Sequence, residues 1–109
     1  MKAIKIYTDG ETELVDITGK DVSEQNDSIY EHLDGYFDIV RYARDAVCLV
    51  DDEGFLKEKP INLGAMVATG YPGPLVGTAL IVGTRPGPEG DEFCDVPAWA
   101  IKQLDVQED

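Results

Sequence analysis

Apolar and polar positions alternate over Lys2–Tyr7, "KAIKIY", as they do in a strand with one buried face. Thr8–Glu11, "TDGE", breaks the alternation with an Asp-Gly pair, a common hairpin tip, and Thr12–Ile17 supplies the returning strand. The period then changes. In "TGKDVSEQNDSIYEHLDG", Val22, Asn26, Ile29 and Leu33 fall on one helical stripe, with Tyr30 beside it. Asp21 is placed to cap the first free amides, and Glu24, three residues on, to reach back. Gly35 suits the left-handed residue past the helix end. The stripe is modest, so this helix is expected to lie on the surface of a sheet.

Tyr36–Ala43 and Ala46–Asp51 read as the next two strands, joined by a tight turn near Arg44-Asp45. "AVCLVD" is apolar on both faces, as a central strand is. The acidic knot Asp51-Asp52-Glu53, followed by Gly54, then reads as a hairpin tip. Lys57, Glu58 and Lys59 would form the solvated returning edge, ended by Pro60. Leu63–Tyr71 predicts a short helix with Asn62 as its cap and Gly70 as its stop. Pro72–Pro74 is a rigid turn, Leu75–Gly83 a strand, and Thr84–Phe93 a loop by its proline and glycine content. Pro97 opens a last helix, "VPAWAIKQL", where its missing N–H costs nothing. The order β-β-α-β-β-α-β-α predicts an α+β fold, with a mixed or mostly antiparallel sheet of about five strands and two to three short helices. Residues 1–109 are expected to make a single domain.

Charge adds a constraint on partners. Twenty-two acids against nine bases give a net charge of −13. Direct binding to nucleic acid is not expected, because it needs cations to displace counterions. Three readings of the acid remain: solubility, attraction to a basic protein, and mimicry of nucleic-acid phosphates. No apolar run approaches the length of a membrane span, and the first residues read as strand rather than leader, so a cytoplasmic setting and no membrane contact are expected. Cys48 lies in an apolar run and reads as a small buried hydrophobe; a cytoplasm disfavours a disulfide to Cys94.

No cofactor, metal or catalytic constellation is expected. Asp51, Asp52 and Glu53 are adjacent, so neighbours on a strand would point to opposite faces and converge poorly on one ion. His32, the only histidine, has no nucleophile frame around it. The acids near it are expected to raise its pKa. Between Pro60 and Pro88 there are 29 residues and one charge, Arg85. That stretch reads as core. It also offers Met66, Val67, Tyr71 and the nearby prolines for an apolar patch rimmed by acid, to which Trp99 could add an anchor. The candidate partner-binding residues are therefore Asp51, Asp52, Glu53, Met66, Tyr71 and Trp99. A ligand or nucleotide site would instead use the few available cations, Arg41, Arg44 and Arg85.

The run from "IYEHLDGYFDIVRY", through "AVCLVDDEGFLKEKPIN", to "LVGTALIVG" resembles the family known as domain of unknown function 3846. Its pattern is a helix ending in glycine before a strand, then an apolar strand into an Asn/Asp-Glu-Gly turn. A leucine-or-proline-then-asparagine element and a strand like "GT-x-LIVG" follow. Here these are Leu33-Asp34-Gly35, Val50–Gly54, Pro60-Ile61-Asn62 and Gly77–Gly83, over roughly the middle half of the chain. The family pattern carries an arginine after the asparagine; here Leu63 stands instead. The resemblance implies a small accessory protein of bacteriophages or mobile elements, with no catalytic residues to carry over. It gives Asn62 the role of helix cap, against an amide offered to a ligand. The expectation is a non-enzymatic protein, monomer or homodimer, that binds a host protein with a basic surface. A ligand-sequestering protein, or an acidic domain with a structural role only, is the alternative.

Overall fold

The computed structural model describes residues 1–107. The elements are β1 Lys2–Ile6, β2 Thr12–Asp16, α1 Val22–Leu33, β3 Phe37–Arg41, β4 Ala46–Asp51, α2 Leu63–Thr69, β5 Ala79–Gly87, β6 Gly90–Cys94 and α3 Ala98–Gln103. Five strands run in the order β2-β1-β5-β4-β3, and β6 adds a sixth by pairing with β5; every pairing is antiparallel. The fold is α+β.

The two-faced apolar run of β4 explains the layers. Alternate residues of a strand point to opposite sides, so Val47 and Leu49 face one way and Ala46, Cys48 and Val50 the other. The first set meets α1 through Ile29 and Leu33, together with Ala3, Leu80 and Val82. The second meets α2 and α3 through Ala65, Ala68 and Ala100, together with Ile4, Ile6 and Ile81. Each large aliphatic buried here contributes roughly 1.5–3 kcal/mol. The sheet is thus covered on both faces, by one helix on one side and two on the other.

Several expected details change. The buried positions of α1 are Ser28, Ile29 and Leu33, whereas Val22, at the start of the expected stripe, is exposed. Asp21 caps the helix as expected, accepting from the Glu24 amide at 2.9 Å. The left-handed residue at the other end is Asp34 (φ 57°), one position before Gly35. Gly35 is needed for space instead: a Cβ there would lie 2.6 Å from an oxygen of Asp51.

The segment expected as a loop, Thr84–Phe93, is the β5–β6 hairpin, with Gly87 paired to Gly90. Pro86 hides it in the sequence. Thr84 donates to the Asp45 carbonyl, so alternate residues of β5 turn their amides toward β4. Position 86 therefore faces a side that β4 no longer occupies, and the missing N–H breaks no ladder bond. Conversely, Leu75 and Val76 do not belong to β5. Gly77 (φ 77°) ends their extended run, and they pair with Pro60–Asn62 through an Ile61–Val76 bridge.

Candidate functional site

β3 is one edge of the sheet. Asp52 donates to the Tyr36 carbonyl at 2.9 Å, which places Tyr36 and Asp52 in a hydrogen-bonded pair. By antiparallel alternation Asp38 and Val40 then bond to β4, while Phe37, Ile39 and Arg41 turn their N–H and C=O groups to the open side. Along this edge runs a groove of about 360 Å³. All of Asp38 to Arg41 line it, and so do Val50 and Asp51 of β4 and Asp52 just after them, so it lies over the β3–β4 pair and takes in both alternating sets of β3. Tyr71, Pro74 and Leu75 form the opposite wall, and Phe55 closes one side. Phe55 is 65% exposed and Tyr71 42%. Asp38 and Asp52 are exposed carboxylates on the groove, and no cation pairs with either among the described residues.

The acidic knot is not a hairpin tip. After Asp51 the chain winds through one helix-like turn, closed by Lys57 donating to the Glu53 carbonyl and Lys59 to that of Gly54. A left-handed Glu58 (φ 55°) then redirects it. This coil brings both lysines back onto Asp51, whose side chain is 1% exposed. Lys59 Nζ lies 2.6 Å and Lys57 Nζ 2.9 Å from Asp51 Oδ2, and the Glu53 amide donates to Oδ1. The same ammonium groups donate to the carbonyls that end α1, Lys57 to Asp34 and Lys59 to Leu33. Burial alone would raise the Asp51 pKa; the hydrogen bonds from Lys59 and Lys57 outweigh it and hold the carboxyl at about 2. Asp51 therefore fastens β4 to the end of α1 and offers no free oxygen to a partner. Lys57–Lys59, expected as a solvated edge, are its clamp. Asp52 and Glu53 remain outside, exposed.

Asn62 is fully buried. Its oxygen caps α2 by accepting from the Ala65 amide, and its amide nitrogen donates to Ile6 and Gly77 carbonyls, both at 2.9 Å. It has no hydrogen left for a ligand.

The other candidates are dispersed. Arg41 faces Asp91 at 3.6 Å and lines the groove; Arg85 is paired with Glu92 at 2.8 Å and lines a separate cavity with Phe93 and Asp95. Arg44 lies exposed in the β3–β4 turn. The three do not share one cleft. Met66 packs against the core, and Trp99, half-exposed on α3, donates its indole N–H to the Asp45 carboxylate at 3.1 Å. Neither lines the groove, whereas Tyr71 does. Sequence reasoning passed over Asp38 and Phe55, because nothing local marks residues that meet only through the fold.

α2 is packed unexpectedly. It buries Ala65 and Ala68 and turns Leu63 and Val67 outward, 67% and 83% exposed. Gly64 explains the close approach: a Cβ there would be 3.1 Å from Ile6 Cγ2. His32 also differs from expectation. Its pKa is lowered, by burial and then by Lys5, whose Nζ is 3.2 Å from Nδ1; the nearby acids do not compensate. Cys48 and Cys94 are free thiols, and burial pushes Cys48 up to about 12. Among the described residues no group of three or more His, Cys, Asp or Glu side chains is placed to hold a metal, and no helix is long and apolar enough to cross a membrane.

The family described as Domain of unknown function (DUF3846) matches residues 1–108. The chain belongs to this family. The match extends beyond the central motifs to β1, β2, β6 and α3, so the family pattern spans the whole sheet. No curated protein and no solved structure matches the chain.

Proposed function

We propose that this member of the DUF3846 family is a non-enzymatic accessory protein of a bacteriophage or mobile element. It acts in the host cytoplasm by binding a host protein that presents a basic surface. One observation carries this reading: the groove lies where the acid-free stretch meets the acid-rich remainder. Tyr71, Pro74, Leu75 and Val76 come from the first, Asp38 and Asp52 from the second. An apolar wall beside unpaired carboxylates suits a contact that is steered by charge and held by burial. The net charge of −13 extends the steering beyond the groove itself.

The test is retention of host proteins on the immobilised chain at low and moderate salt. A basic protein is expected on the wild type at low salt, released as salt rises, and reduced when Asp38 and Asp52 are both changed to Asn. Retention that ignores both salt and the double substitution contradicts the reading.

A further inference from the structure

The free backbone of β3 and the groove beside it belong to one surface, and together they specify a shape of ligand. We propose that the site takes an extended segment of the partner, added as a strand against β3, with lysine or arginine at alternate positions. This rests on the proposed binding of a basic partner and names how and where it occurs.

Three features point the same way. First, the outward N–H and C=O groups of Phe37, Ile39 and Arg41 are spaced to pair with one further antiparallel or parallel strand. Ile39 and Arg41 are exposed and Phe37 is half-buried, and no other strand of the described chain pairs with this side. Beside the opposite edge, β2, the cavity bounded by Lys2, Leu14, Val15, Asp16 and Gln107 has no aromatic wall.

Second, the groove suits a long chain with an apolar stem and a cationic head. Side chains of an added strand alternate between the two faces of the sheet. On the face shared by Asp38 and Val40, an aliphatic stem would run between Val40 and Leu75, past the rings of Tyr71 and Phe55. The charged end would then reach Asp38 or Asp52, and the aromatic faces add attraction for a cation. Aspartate or glutamate at the same place would meet two unpaired carboxylates.

Third, the other face of β3 asks for something different. Ile39 is 41% exposed there, next to Phe37 and to Arg41, which is already paired with Asp91. Small apolar side chains fit over Ile39, and a second cation beside Arg41 does not. A segment alternating basic and aliphatic residues satisfies both faces at once. A uniformly basic one does not.

The probe is a terminally blocked heptapeptide alternating lysine and valine, compared with blocked heptalysine. Binding is followed on the full chain by backbone amide NMR and by amide exchange. The alternating peptide is expected to bind more tightly than heptalysine despite its lower charge, and to slow exchange at Phe37, Ile39 and Arg41. Ile39→Pro removes one outward donor and no ladder bond, as edge strands tolerate. It is expected to weaken the alternating peptide by about tenfold, the scale of one or two lost main-chain hydrogen bonds. Protection in the wild type needs no variant, so the proposal stays testable if Ile39→Pro misfolds. If heptalysine binds as tightly and the shifts collect on α1, the strand site is wrong while charge-led binding stands. If protection falls on β2, the assignment to β3 is wrong. If neither peptide binds at low salt, both the strand site and the basic-partner reading fall.

Discussion

Asp51 stays charged in the interior because three donors reach it, all from residues that follow it in sequence. Its unfolded carboxyl titrates near 3.8 and the folded one at about 2. Between those values the unfolded chain binds more protons, so this contribution is complete above the unfolded value and is lost as pH falls through the folded one. Removing one partner from a buried pair typically costs about 3–5 kcal/mol. Asp51→Asn keeps some hydrogen bonding, so a loss of about 2–4 kcal/mol at neutral pH is expected by urea unfolding. The variant should also show a shallower fall in stability on acidification below about pH 4 than the wild type. His32 acts at higher pH with the same sign. Its lowered pKa means that stability from the neutral ring is present above 6.5 and declines as pH falls below it. His32→Gln is therefore expected to flatten the stability profile between neutral pH and about pH 5. Asn62→Ala removes the cap and leaves the Ile6 and Gly77 carbonyls without their donor. A cost of about 2–4 kcal/mol is expected, since buried polar groups would be left unpaired.

Among the elements, those with clear periodicity were legible in the sequence. β1, β2 and β4 follow from alternation and from the two-sided apolar run, and Asp21 and Asn62 announce the helices they cap. β6 was hidden because Pro86 and two glycines normally signal a loop, and only the early end of β4 makes a proline harmless there. The orientation of α2 was hidden for a different reason. Which residues a helix buries depends on how closely it approaches the sheet, and Gly64 permits an approach at which alanines fill the space. Val67→Lys should therefore change stability by no more than about 0.5 kcal/mol, whereas Ala68→Leu should cost about 1–3 kcal/mol through overpacking. Denaturant titration of the two variants checks this. The candidate site was half legible: Asp52 and Tyr71 could be singled out from charge and hydropathy, but Asp38 and Phe55 meet them only after β3 and the coil beyond β4 are folded.

Over the whole molecule, acid and apolar surface are unevenly shared. α1 carries Glu24, Asp27 and Glu31 on one side of the sheet, while α2 and α3, on the other, carry no acid. Leu63, Val67 and Trp99 are exposed on that second side. A net charge of −13 also repels itself, and added salt screens that repulsion over about 8–10 Å at physiological strength. The folded chain is thus expected to gain thermal stability as salt rises from low to moderate concentration, which a melting series reads directly. Binding to a basic partner should respond in the opposite direction, because the same ions screen the attraction that brings the two together. The two trends have one origin and can be measured on one preparation. The most direct test is the association rate between the immobilised chain and a basic host protein that it retains, followed as salt is raised. The account predicts a steep fall in the on-rate with little change in the off-rate; an on-rate indifferent to salt would contradict it.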